Sequence, residues 1–179
     1  LASGSALTND GSIRGGHGGV GTYGGNGGDG GNGVDIAPGS TLINASAIEG
    51  GNGGTSSYFY LSHVFIPGRA GYGGSGVEIT GGSLTNDGTI VGGTGGIGYL
   101  GDESVRGGSG VDLLAGCVVF NHQTIQGGKG ADGIYRSYGA TGGSGVAIGD
   151  TSALINDGIV IGGNGGSGNG GSGVDVAAG

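Results

Sequence analysis

Five asparagines set the register of this chain. Asn9, Asn44, Asn86, Asn121 and Asn156 follow one another at intervals of 35, 42, 35 and 35 residues. Two residues before each lies an aliphatic: Leu7, Leu42, Leu84, Val119 and Leu154. Four residues after lies another: Ile13, Ile48, Ile90, Ile125 and Val160. Six residues after, a glycine pair begins, at Gly15, Gly50, Gly92, Gly127 and Gly162. Self-similarity at a fixed period of this length is the signature of a solenoid, in which each repeat buries its apolar face only against its neighbours.

Within a repeat the rhythm is two residues. Val34 and Ile36 alternate with Asp35, Leu42 shares a face with Asn44, and Ile48 lies between polar or small neighbours. Such short runs, separated by Gly, Ser and Asp-Gly, predict strands joined by tight turns. No 3.6-residue apolar pattern occurs, so essentially no helix is expected. Short strands form a core when equivalent strands pair in parallel, coil upon coil, about 4.8 Å apart. The expected fold is an all-β parallel β-helix, with one core coil per repeat. The repeat cores lie near 1–16, 33–51, 76–93, 110–128, 145–163 and 173–179, within a single repetitive segment 1–179. The chain opens and stops partway through a unit, as expected of a segment of a longer protein. The asparagines are expected at bends, in the left-handed conformation that Asn tolerates. Each amide would bond those above and below as a structural ladder.

Between each Gly-Gly pair and the next Gly-Val runs a glycine-rich arm. Glycine is 56 of 179 residues, close to the collagen fraction, but there are only 2 prolines and no strict triplet period. So much glycine makes ordering entropically costly, and a fold that pairs most of its backbone offsets that cost. Triplets such as Gly24 to Gly33 favour extended, polyproline-II-like arms whose glycine faces lie close enough to stack as a layer. An additional coil or a disordered fringe is also open for these arms. Tyr23, Tyr99 and Tyr135 recur inside them as a candidate anchoring column. The longest arm, insert 52–75, carries Tyr58, Phe59, Tyr60, His63 and Phe65, the candidate ligand contacts. It reads either as a hairpin packed on the solenoid or as a binding loop, since inserts on solenoids often occupy the functional face.

The formal charge is −8, and the basic residues Arg14, Arg69, Arg106, Lys129 and Arg136 form no stripe. That excludes a nucleic-acid partner. No run of 18 apolar residues occurs, so direct membrane insertion by a helix is not expected. Asp35, Glu78 and Asp112 share one outward slot and are weak calcium candidates. They match only part of the calcium nonapeptide, which works in tandem every nine residues, whereas this slot recurs about every 35. The three histidines lack metal spacing, no phosphate loop is present, and no catalytic set or cofactor is expected. Cys117 fills a slot held elsewhere by Ser5, Ser40 and Ser152, which reads as a small turn residue. The residues before the asparagines, Thr8, Ile43, Thr85, Phe120 and Ile155, make no threonine array of the kind ice-binding solenoids use.

The run Leu84 to Gly93, followed by Gly-Gly-x triplets and Gly-x-Gly-Val, resembles the glycine-rich repeats in passengers of bacterial autotransporter (type V secreted) proteins. The resemblance covers nearly the whole chain. It implies a right-handed parallel β-helix displayed on the bacterial cell surface or secreted, serving adhesion or aggregation. The expected function is therefore a surface-exposed structural or adhesive segment and not an enzyme. Its partners would be a host-surface or extracellular-matrix ligand, a glycan, or a second copy. A second reading makes the aromatic stretch 58–67 a glycan- or matrix-binding module. A third, a polysaccharide-active β-helix enzyme, has no site visible in the sequence.

Overall fold

The computed structural model describes residues 1–61, 64–99, 105–132, 140–166 and 168–177. Its strands sort into three five-stranded parallel sheets and one hairpin, with no helix among these residues. The first sheet stacks Ala6–Asn9, Thr41–Asn44, Ser83–Asn86, Val118–Asn121 and Ala153–Asn156. The second stacks Ser12–Arg14, Ala47–Glu49, Thr89–Val91, Thr124–Gln126 and Ile159–Ile161. The third stacks Val34–Ile36, Val77–Ile79, Val111–Leu113, Val146–Ile148 and Val174–Val176. One coil takes a strand from the first sheet and one from the second, makes a glycine excursion, and returns through the third. This is a parallel β-helix in which equivalent positions pair without slip, as in Leu42 with Leu84 and Ile48 with Ile90.

Register is fixed because a one-residue slip would turn every inward side chain to solvent. Leu42, Leu84 and Val119 form one fully buried column, and Ile48, Ile90 and Ile125 a second. Val77, Val111 and Val146 form a third, beside Ile79 and Leu113. Cys117 belongs to this interior. It follows the bend at Ala115-Gly116 and is buried, with its sulfur 3.1 Å from both the Ile79 and Ala115 carbonyl oxygens.

The arms are extended, and they form a second ordered body continuous with the coils. Each arm runs outward (15–22, 50–57, 92–98, 127–132, 162–166) and returns (25–33, 68–76, 105–110, 140–145, 168–173). Outbound segments make one layer and returning segments the other. Within the outbound layer, the amides of Gly15, Gly50, Gly92 and Gly127 donate to the carbonyls of Glu49, Val91, Gln126 and Ile161, each at 2.9 Å. Three residues further on, Gly18, Gly53, Gly95 and Gly130 repeat the pattern, donating to Asn52, Thr94, Lys129 and Asn164. Between the layers the bonds zigzag. Gly31 donates to Gly16, Gly51 to Gly31, Gly74 to Gly51 and Gly93 to Gly74, all at 2.8 Å, and the series continues to Gly171.

The triplet Gly-Gly-x follows from this geometry. An extended chain with three residues per turn aims successive amides in three directions. The first glycine of a triplet bonds within its layer, the second bonds across to the other layer, and x faces solvent. A Cβ carbon placed on Gly18 would lie 1.8 Å from the Gly28 carbonyl oxygen, and one on Gly54 would lie 2.0 Å from that of Gly19. Only a glycine Cα fits that gap, where it contributes weak Cα–H to carbonyl contacts. At Gly33, Gly76, Gly110 and Gly145, where an arm rejoins the coil, the obstacle includes the neighbouring Ile48, Ile90, Ile125 or Val160 side chain.

This packing predicts a sharp contrast between glycines. Gly54→Ala should lose about 1–3 kcal/mol or more, because backbone must move to admit the methyl group. Gly19→Ala, with nothing within 4 Å of the added carbon, should be neutral or gain up to about 1 kcal/mol. Denaturant midpoints of the two variants measure the difference.

Candidate functional site

The five predicted ladder asparagines form one continuous chain of side chains. Asn9 Nδ2 donates to Asn44 Oδ1 at 2.7 Å, Asn44 to Asn86 at 2.8 Å, Asn86 to Asn121 at 2.7 Å, and Asn121 to Asn156 at 2.7 Å. Asn44, Asn86 and Asn121 are fully buried on the face that carries Leu42, Leu84 and Val119. Each also donates to a carbonyl two residues on, as Asn44 does to Ser46 and Asn86 to Gly88. The expected left-handed conformation is not found. Among the described non-glycine residues, only Tyr23 and Thr151 have positive φ. The asparagines end their strands with ordinary backbone, and the side chain alone turns the corner. A buried amide whose donors and acceptor are all satisfied stabilises the coil and leaves no group for a ligand.

The acid slot lies on the outer face of the third sheet. Asp35 pairs in register with Glu78, Glu78 with Asp112, Asp112 with Ala147, and Ala147 with Asp175. Asn32 bridges the top of the column, donating to Asp35 at 2.7 Å and Glu78 at 3.1 Å. Burial, and secondarily the negative Glu78 beside it, raises the Asp112 carboxyl above the ordinary carboxylate range. No cluster of three metal-ligating side chains occurs among the described residues, Asp35, Glu78 and Asp112 included. Where Ala147 interrupts the column, a cavity of about 270 Å³ opens, lined by Asp112, Leu113, Leu114, Ile148 and Asp175.

The candidate contacts in the long insert lie on a hairpin. Tyr58–Leu61 pairs antiparallel with Val64–Pro67, placing Tyr58 opposite Pro67, Phe59 opposite Ile66 and Tyr60 opposite Phe65. His63 lies outside the described residues, as does Tyr135. The hairpin continues the second arm, so it stands at the far tip of the glycine bundle. An eight-residue outbound run at about 3.1 Å per residue sets it roughly 25 Å from the solenoid core. The predicted tyrosine column is interleaved with hairpin residues. Tyr23 meets Phe59 edge-on with ring centroids 6.5 Å apart, and Tyr58 meets Tyr99 at 5.5 Å. Tyr23 is 86% exposed and Tyr60 63%, with Leu61, Val64 and Ile66 also exposed. Tyr23 sits at φ +51°, a conformation strained for a bulky side chain and cheap for the glycines around it.

Two arrangements escaped sequence reasoning. Solvent-facing amides on one coil are capped by side chains from the coil before. Asn26, Asp29 and Asn32 accept from the Arg69, Tyr72 and Ser75 amides, and Asn52 accepts from Thr94. The signal was present, because these residues occupy the x position of successive triplets. His122 also pairs with Asp87 of the preceding coil at 2.7 Å.

No family model matches this sequence, and no curated protein matches it. Among solved structures, a springtail antifreeze protein from Granisotoma rainieri aligns over 96% of this chain and 99% of its own. It is described as a bundle of nine polyproline type II helices whose crystal waters match the ice lattice. Identity is 22% and the TM-score is 0.21, so this likeness carries no argument about function.

The acid column yields a pH prediction. A carboxyl raised in the folded state favours its neutral form there. Asp112 therefore weakens the fold as pH rises from the ordinary carboxylate value through its raised one, and the loss is complete above that. Asp112→Asn should raise the melting temperature at neutral pH, and the gain should shrink as pH falls toward 4. Melting curves of both proteins across that range test this.

Proposed function

We propose that this chain is a non-catalytic adhesive segment, in which the solenoid and glycine bundle form a rigid stalk and the aromatic tip makes the contact. The observation that carries this reading is the tip itself. Tyr23, Tyr58, Phe59, Tyr60 and Tyr99 gather there, in a chain with only 7 tyrosines and 3 phenylalanines. Exposed aromatics offer large apolar faces at low entropic cost, and tyrosine adds a hydroxyl for hydrogen bonding. The stretch 58–67 contains no acidic residue, lysine or arginine. Its partner is accordingly an uncharged surface, either a glycan or a matrix protein. Strain held at Tyr23 supports a role in contact, since its edge-on contact with Phe59 leaves the ring 86% exposed. The resemblance to autotransporter passengers supports display on a bacterial cell surface or secretion, and stacking coil by coil suits export.

Replacing Tyr58–Pro67 with a short glycine-serine turn should abolish adhesion of displaying cells while the far-ultraviolet spectrum and melting temperature stay near those of the parent. Tyr23→Gly should reduce adhesion and leave stability unchanged or raised by up to about 1 kcal/mol. Undiminished adhesion in the turn replacement would overturn the binding role of the tip.

A further inference from the structure

One-electron oxidation of this chain falls on tyrosine. There is no methionine and no tryptophan, and the single cysteine, Cys117, is buried among the coils. Of the 7 tyrosines, Tyr23, Tyr58, Tyr60, Tyr72 and Tyr99 lie among the described residues, and their surroundings differ.

The stack sets Tyr58 beside Tyr99. In the outbound layer Gly53 donates to the Thr94 carbonyl at 2.8 Å and Ser56 to the Ile97 carbonyl at 3.1 Å, each pair 41 residues apart. Tyr58 and Tyr99 have the same separation, so the second and third arms deliver them to neighbouring places at the tip. Their ring centroids are 5.5 Å apart, with the planes tilted by 56°. That is contact for two rings, which pack at about 4.5–7 Å. Tyr58 is exposed to an oxidant, and Tyr99 is half-buried beside it. The other described tyrosines have no such partner. Tyr23 meets Phe59, whose ring carries no hydroxyl and forms no phenoxyl radical. The Tyr72 ring lies 4.5 Å beneath the Arg69 guanidinium. Tyr60 is exposed and touches the ring of no other described tyrosine.

We propose that Tyr58 and Tyr99 are a dityrosine site, cross-linked when hydrogen peroxide and a haem peroxidase act on the folded chain. Each phenol gives up one electron and one proton and becomes a phenoxyl radical. The two radicals join by a carbon–carbon bond between one Cε carbon of each ring, ortho to the oxygen. The hydrogen on each joined carbon leaves as a proton and each oxygen takes one up, which restores both aromatic rings. The chain loses two hydrogen atoms in all, and the peroxide accepts them as it is reduced to two waters. The new bond ties the aromatic hairpin to the third arm, and closing the loop from 58 to 99 restricts the unfolded chain. This chemistry needs no ligand at the tip and is independent of adhesion.

The experiment treats the folded 179-residue chain with hydrogen peroxide and a haem peroxidase, at a dilution that disfavours links between molecules. Monomer is isolated, its dityrosine measured by fluorescence, and the linked residues located by mass spectrometry of peptides. The expected product is a monomer two hydrogen atoms lighter, with residues 58 and 99 in one cross-linked peptide pair. Tyr99→Phe keeps a ring at the contact and should abolish dityrosine in the monomer, whereas Tyr72→Phe should leave the yield as in the parent. Dityrosine found only between molecules, an internal link that spares residue 58 or 99, no dityrosine at all, or a monomer yield untouched by Tyr99→Phe would each overturn the proposal.

Discussion

Everything in this structure depends on backbone-to-backbone hydrogen bonding between glycine segments too close together to admit a side chain. An ordinary domain repays conformational entropy by burying apolar side chains. Here nearly a third of the chain has none. What replaces them is dense amide pairing in three directions, with two amides per triplet satisfied inside the bundle and the third at its surface. Each bond contributes modestly, about 0.5–1.5 kcal/mol net, yet a missing one would leave a buried amide stranded at higher cost. The glycines are therefore a packing requirement more than a source of flexibility.

The β-solenoid makes this arrangement possible. Two stretches of glycine would not find each other in register from a disordered chain without a large entropic loss. The coils supply the register. Leu42 over Leu84 and Ile48 over Ile90 fix each strand, and the buried asparagine ladder locks the corner between the first and second sheets. The arms thus start in register, each bonded to the next coil at 2.9 Å through Gly15, Gly50, Gly92 and Gly127. They begin by pairing with the coils, as these glycines donate to the last residue of a second-sheet strand. The two halves share coils, and each coil contacts only its neighbours, so stability should propagate along the stack rather than reside in one centre.

Much of the coil was legible in the sequence because its determinants are local and periodic. The five asparagines, their flanking aliphatics and the Gly-Val returns mark strand, corner and register without reference to distant residues. The acid slot and the insert were legible for the same reason. The bundle was only half legible. Triplets such as Gly24 to Gly33 announce an extended, three-fold chain, but the two-layer zigzag depends on which amide faces which arm, and that is a tertiary fact. The asparagine backbone was misjudged because propensity favours a left-handed Asn at a bend, whereas ladder bonding satisfies the amide without that strain. Among the described residues, the non-glycine positions with positive φ are instead Tyr23 and Thr151, and at Tyr23 the sequence gives no reason to prefer tyrosine over glycine. That mismatch between local preference and structure makes the tip the place to look for a binding role.

The central claim is that the glycine arms are a folded bundle as firmly ordered as the β-core. Native-state hydrogen exchange at single-residue resolution tests it most directly. The account predicts that the amides of Gly51, Gly74, Gly93, Gly108 and Gly128 are protected to a degree comparable with Leu84 and Ile90, and that they open together with them. Exchange of those glycines near the rate of an unstructured peptide, with the strands still protected, would contradict it.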